Sequence, residues 1–133
     1  MTSNENRDPL RESPAEGFRD LIVWQKGIEV AKRTYLLTRT FPADEKFGLV
    51  SQMRRAAVSI SSNIAEGQGR HTTGEFIQFI SHAEGSVAEL STQFHLATEL
   101  GFLNRETAAP SLALLEELRR MLNGLRRKLG EAR

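Results

Sequence analysis

The residues of this 133-residue chain that could do chemistry are three histidines, a polar run near the middle and two rows of basic side chains. A di-iron site of the ferritin type needs Glu-x-x-His pairs on facing helices. Three positions before His71, His82 and His95 stand Gln68, Phe79 and Thr92, so that pattern is absent. There is no His-Glu-x-x-His motif either, and with no cysteine, disulfides and thiolate metal sites are excluded. Gly67-Gln68-Gly69-Arg70 lacks the lysine and the spacing of a phosphate-binding loop and reads as a turn. The serines show no nucleophile elbow. Glu66, Glu84 and Glu89 could act as paired carboxylates, but spacing fixes no distance between them. The expectation is a protein that is not an enzyme, with no catalytic residue, cofactor or metal.

The polar run is Ser59-Ile60-Ser61-Ser62-Asn63-Ile64-Ala65-Glu66-Gly67. Serine and asparagine are indifferent helix formers, at about 0.5 kcal/mol each relative to alanine. Glu66 also sits at what would be the negative end of a helix dipole. On a helical wheel Leu49, Met53, Ala56, Ile60 and Ile64 share one arc. Arg55, Ser59, Ser62 and Glu66 share another, with Asn63 on the border. Small polar side chains in a stripe let a neighbouring backbone approach and let hydroxyl and amide groups pair across the contact. Glu84-Gly85-Ser86 offers a matching segment, because a glycine inside a helix usually has a packing reason. Trp24, Arg54, Arg55, Ser59, Asn63, Glu66 and Gly85 are therefore candidate interface or structural residues. Arg54, Arg55 and Arg70 are the candidates to hold Glu66. The plainer alternative is a frayed helix end with a solvated acid, whose exposed ion pairs are worth little.

The basic rows are candidates for nucleic acid. Arg119 and Arg126 are seven apart, as are Arg120 and Arg127, with Lys128 adjacent, while Lys26, Lys32, Arg33 and Arg39 lie upstream. Repeated around an oligomer, such rows would make a field that phosphates feel. No aromatic stacking platform stands beside the arginines, so binding would be backbone-directed and salt-sensitive. The competing reading is an ordinary solvated face paired with Glu116 and Glu117.

These residues must be positioned by helices. The apolar fraction is 39% and the charged fraction 26%, as in soluble globular domains. No apolar run approaches the roughly 20 residues of a membrane span. No signal-peptide pattern opens the chain, so a cytoplasmic location is expected. Residues 1–17, with two prolines and many charges, read as a disordered arm. Residues 18–133 read as one domain, with 16 Lys and Arg against 13 Asp and Glu from Phe18 onward. Four amphipathic patterns follow. In the first, Leu21, Trp24, Ile28, Ala31 and Tyr35 make the expected core stripe, ending near Phe41-Pro42. The second runs from about Asp44 to Glu66. The third opens on a Thr72/Glu75 capping box, carries Phe76, Ile80, Ala83, Val87, Leu90, Phe94 and Ala97, and stops at Gly101. The fourth, from about Ala108 to Leu129, carries leucines at 112, 115, 118, 122, 125 and 129. The predicted fold is all-α, an antiparallel up-down-up-down four-helix bundle. The first helix holds a surplus: Val23, Val30 and Leu37, with Ile22 and Leu36 nearby, are expected to form a second face buried against another subunit. The alternative is a wide core arc with scattered exposed apolar residues.

The sequence also resembles a known family. The stretches that carry the resemblance are Leu21-Ile22-Val23-Trp24-Gln25-Lys26, Phe41-Pro42 with Glu45 and Gly48-Leu49, and Gln52-Met53-Arg54-Arg55-Ala56-Ala57. Then come Ser59 to Gly67, Glu75-Phe76, Gly85-Ser86, Glu89-Leu90 and Leu100-Gly101-Phe102-Leu103. Over about residues 18–129 they are similar to the bacterial four-helix-bundle proteins encoded in intervening sequences of 23S ribosomal RNA genes. Gly27 departs from the family, which usually has a better helix former there. The resemblance implies a cyclic homopentamer. It also implies kinship with the accessory variability determinant of diversity-generating retroelements, a pentameric barrel that binds a reverse transcriptase and nucleic acid. It supplies a gene location but no biochemical activity.

The favoured expectation is an oligomeric scaffold for RNA or a protein–nucleic-acid complex, with self as the first partner and no membrane. The second is a protein-interaction module without nucleic-acid affinity. The third is a small-ligand or catalytic site around Glu66 and Asn63 at a subunit junction.

Overall fold

The computed structural model describes Phe18 and residues 21–131. The arm expected over residues 1–17 lies outside the described residues. Among these, the helices are α1 (Ile22–Thr38), α2 (Leu49–Gln68), α3 (Thr73–Glu99) and α4 (Arg105–Glu131), with one 3₁₀ turn at Ala43–Glu45 and no strand. The all-α expectation holds. Each helix touches the next, α2 and α3 most extensively, and α1 closes the arrangement against α4.

Helix ends follow local chemistry. The Thr72 hydroxyl accepts a hydrogen bond from the Glu75 N–H at 3.1 Å, as a capping box requires. The Glu75 carboxylate meets the Thr72 hydroxyl itself, at 3.0 Å. Gly101 has φ +81°, the left-handed conformation that favours glycine. Phe102 N–H bonds to the Ala97 carbonyl and Gly101 N–H to that of Thr98, at 2.9 and 3.0 Å, the paired pattern of a Schellman stop. Helix α2 begins at Leu49 rather than near Asp44. The Glu45 carboxylate reaches past Gly48 and accepts from the Leu49 N–H at 3.1 Å, capping a fresh start after the 3₁₀ turn. Helix α4 starts three residues before the expected Ala108, because the Asn104 amide oxygen accepts from the Thr107 N–H at 2.7 Å.

The core arcs of α2 and α3 are the expected ones, and in α4 the inner leucines Leu115, Leu118 and Leu122 are buried. The arc of α1 is corrected in part: Leu21, Trp24 and Ala31 of the expected stripe pack half-buried against the core. Its buried residues are Val23, Gly27, Val30, Thr34 and Thr38. Ile28 and Tyr35, expected inside, are exposed, as are Ile22 and Leu36. Val23 and Val30, expected at a subunit contact, lie in the chain's own core, and Leu37 is half-buried against it.

The reason is the closeness of the α1–α2 crossing. A Cβ at Gly27 would collide with the Ser61 hydroxyl, and that hydroxyl donates to the Trp24 carbonyl at 3.1 Å. Only short side chains fit there, so α1 turns its small stripe inward and leaves the bulky Ile28, Tyr35 and Leu36 outside. Burial of Thr34 and Thr38 is inexpensive because each hydroxyl returns a hydrogen bond to its own helix. Thr34 donates to the Val30 carbonyl at 2.8 Å and Thr38 to the Thr34 carbonyl at 2.7 Å. Two buried atoms, Gln93 Oε1 and Ser111 Oγ, have no hydrogen-bond partner among the described residues.

Candidate interaction surface

The polar run falls on α2, and the structure divides it between two neighbouring helices and solvent. Ser61 faces α1, as above. Ser59 faces α3, where its Oγ lies 2.6 Å from Ser86 Oγ while also donating to the Ala56 carbonyl at 2.8 Å. The Asn63 amide donates back to the Ser59 carbonyl at 2.8 Å, and Ser62 points to solvent. Glu66 is exposed and meets Arg70, one turn on, at 3.5 Å. Arg70 in turn stacks over the Phe79 ring at 4.7 Å.

Of the other candidates on this side, Arg54 is firmly placed. Its Nε donates to Thr38 Oγ1 at 3.0 Å, and its guanidinium lies 4.6 Å from the Tyr35 ring centroid. Arg55 is exposed and makes no ion pair among the described residues. Trp24 is half-buried, with Phe18 at 5.3 Å between ring centroids. Around Gly85 a Cβ would meet nothing within 4 Å among the described residues, so no neighbouring helix presses on that glycine. The tight glycines are Gly27, against Ser61, and Gly67, where a Cβ would stand 2.7 Å from Phe79 Cβ and 2.8 Å from Phe76 Cδ1. Sequence reading missed both. Gly67 looked like a helix stop and Gly27 like a weak helix residue, because a glycine's neighbour is invisible until the helices are packed.

The basic rows are partly neutralised by the chain's own acids. Arg119 forks onto Glu116 at 2.8 and 2.7 Å, and Arg120 reaches the same carboxylate at 3.0 Å. The Arg119 hydrogen bond, with help from Arg120, holds the Glu116 carboxyl down at about 2 and raises the Arg119 guanidinium above its ordinary range. Arg126 crosses to Glu84 of α3 at 2.6 Å, which raises its own affinity for the proton in the same way. Lys26 pairs with Glu117 of α4, and Arg33 with Glu29 at 3.2 Å. Lys32, Arg39, Arg127 and Lys128 are exposed and form no ion pair among the described residues.

The bulky stripe that α1 leaves outside forms a continuous apolar strip with α2. Leu36 is 55% exposed, and Ile28, Tyr35 and Val58 add to the same face, with the exposed Ile22 lying apart from it. A shallow groove between the helices runs past Ile28, Ala31, Tyr35 and Val58, flanked by Lys32 and Arg39. A separate, smaller patch, Leu96 and Leu100, lies near the end of α3.

Among the described residues no group of three or more histidines and acids could hold a metal ion, and no helix is long and apolar enough to cross a membrane. His82 packs edge-on to Phe79 with ring centroids 5.9 Å apart.

The comparisons with known proteins agree with this architecture. No curated protein matches the chain. A solved structure from Bacteroides thetaiotaomicron, described as a protein of unknown function from the S23 ribosomal protein family, superposes with a TM-score of 0.71 at 21% identity. That match covers 78% of this chain and 97% of the other. The family model described as 23S rRNA-intervening sequence protein matches residues 19–124, nearly all of the helical region, and the chain belongs to that family.

Proposed function

We propose that this protein is a non-enzymatic scaffold that works in the cytoplasm as a ring of identical subunits and presents basic surface to RNA. The observation that carries the proposal is the apolar strip of Ile28, Tyr35 and Leu36 on α1 with Val58 on α2, which the chain's own core leaves uncovered. Scattered exposed apolar residues are ordinary, but an aligned strip of this kind marks an interaction site.

The register of the cross-helix contacts supports an antiparallel, up-down-up-down bundle as the repeating unit. Along α1 and α2, Gly27 meets Ser61 while Thr38 meets Arg54, so one helix descends as the other rises. The second apolar patch at Leu96 and Leu100 differs from the first in place and in its side chains. Two unlike patches favour head-to-tail contact, which closes into a cyclic ring when the rotation allows, rather than a two-fold dimer. The homopentamer implied by the family resemblance is a ring of this kind.

Sedimentation velocity at micromolar concentration tests the assembly. A species of about five subunits supports the proposal, and a monomer of 14.9 kDa overturns it. In the ring reading, the unpaired Lys32, Arg39, Arg127 and Lys128 supply the positive field, repeated in every subunit.

One observation favours a second reading, a protein-interaction module without nucleic-acid affinity. Arg119, Arg120, Arg126 and Arg33 are occupied by Glu116, Glu84 and Glu29. A gel-shift titration with structured RNA separates the two readings. Retention at about 50 mM salt that fades as salt rises supports the first, since phosphate contacts are strongest at low salt. No retention at that salt supports the second.

A further inference from the structure

The basic residues that stay free of acids and stand beside an aromatic ring are not on α4. They line a groove on the outer side of α2, about 630 Å³ in volume, bordered by Tyr35 of α1, Lys46 and Phe47 of the turn before α2, and Arg54, Arg55 and Ser62 of α2. We infer that this groove is a binding site for single-stranded nucleic acid, with a base stacked on Phe47 and phosphates held by Lys46 and Arg55. The inference rests on the nucleic-acid reading above and gives it a location.

Phe47 is the first observation. It is 90% exposed, the most exposed large apolar side chain among the described residues, and it stands at the lip of the groove. A ring so placed contributes nothing to the fold by burial, yet it offers an open face. The second observation is charge. Three cationic side chains line the groove, and no acid does. The nearest carboxylate in sequence, Glu45, is spent on capping Leu49.

Arg54 is already fixed by Thr38 and by the Tyr35 ring, so it shapes the wall. Arg55 and Lys46 have no acidic partner among the described residues. The Lys46 ammonium lies 5.6 Å from the Phe47 ring centroid, which puts a charge beside the stacking face. Stacked bases with a cation within reach of the backbone are the usual arrangement for strands bound without sequence preference.

Shape is the third observation. The groove follows α2 from Val50 to Ser62, roughly 18 Å at 1.5 Å per residue, long enough to follow a strand. The hydroxyls of Ser51 and Ser62 line it and have no side-chain partner among the described residues, so they can donate to phosphate or ribose oxygens. A duplex keeps its bases stacked on one another and gives Phe47 nothing to hold, which selects an unpaired strand.

The test is fluorescence anisotropy of the full chain with a labelled oligouridylate of roughly eight nucleotides, over a salt series starting at about 50 mM. Far-UV circular dichroism and light scattering are recorded for each variant. Phe47→Ala is expected to fold and to weaken binding about 5- to 150-fold, the loss of one base stack. Arg55→Gln is expected to weaken binding and to flatten the slope of log affinity against log salt by about 0.7, while Arg55→Lys keeps that slope. Arg127→Gln with Lys128→Gln thins the general positive field without touching the groove, and is expected to weaken binding less than Arg55→Gln does. No binding by the wild type at the lowest salt overturns both this site and the nucleic-acid reading. Undiminished binding by Phe47→Ala and Arg55→Gln, with loss in the α4 variant, overturns this site and leaves the reading intact. A fall in oligomer mass for Phe47→Ala with unchanged affinity makes Phe47 a contact between proteins and overturns the stacking role.

Discussion

Gly27 of α1 and Ser61 of α2 meet where the two helices cross, and the serine hydroxyl fills the space a Cβ would need. That single contact sets the rotation of α1. It brings Val23, Val30, Thr34 and Thr38 inside and turns Ile28 and Tyr35 out. The apolar strip available to a partner is therefore a consequence of a close helix crossing.

Gly27→Ala tests the crossing. Alanine is the better helix former by about 1 kcal/mol, so propensity alone forecasts stabilisation. The overlap with Ser61 Oγ reverses the sign, and a net loss of about 1–3 kcal/mol in urea unfolding is expected. Adding Ser61→Ala removes the obstructing oxygen and should restore most of that loss. A double-mutant cycle with no coupling between the two positions would refute the contact as the cause.

Gly85 offers the converse. Nothing among the described residues lies within 4 Å of a Cβ there, so Gly85→Ala should raise the unfolding free energy of the isolated subunit in urea by about 0.5–1 kcal/mol. If sedimentation shows the assembly weakened at the same time, the glycine is held open for a neighbouring subunit.

The Ser111 hydroxyl is fully buried with no partner among the described residues. A buried polar group left unpaired costs about 1–3 kcal/mol. Ser111→Ala is therefore expected to be neutral or stabilising by thermal and urea denaturation. A clear loss of stability would show that an internal water holds the hydroxyl.

Acid should weaken the α4 surface within a defined window. Arg119 and Arg120 hold the folded Glu116 carboxyl at about 2, against 4.5 for the free group. A carboxyl depressed on folding favours the folded state wherever the unfolded chain is ionised. The contribution is complete above pH 4.5 and is withdrawn as pH falls toward 2. In Glu116→Gln the urea midpoint should lose part of its fall across that window, and since the pair is exposed the difference should shrink in high salt.

Assembly is tested on the strip and on the polar run separately. Ile28→Asp places a charge on the exposed strip and should leave helicity unchanged while shifting light scattering toward the monomer. Asn63→Leu removes the bond to the Ser59 carbonyl and should disturb assembly more than far-UV ellipticity. An unchanged oligomer mass in either variant counts against an interface at that position.

Local chemistry alone determined much of this protein. The apolar rhythms of α2, α3 and α4, the Thr72 cap and the Gly101 stop all act within a turn or two of chain, so the sequence specifies them without reference to anything distant. Of the polar stripe read on α2, Ser59 meets Ser86 of α3, while Arg55, Ser62 and Glu66 are exposed. What the pattern could not carry was a choice between faces. On α1 two stripes competed, and hydrophobicity favoured the bulky one. Packing chose the small one, because steric fit at the Gly27–Ser61 crossing depends on a residue 34 positions away. The same holds for charge: Arg119 and Arg126 read as one basic row, yet one closes on its own helix and the other on α3. Periodicity fixes which residues share a face, and only the distance between helices decides which face is buried and which charges are left free.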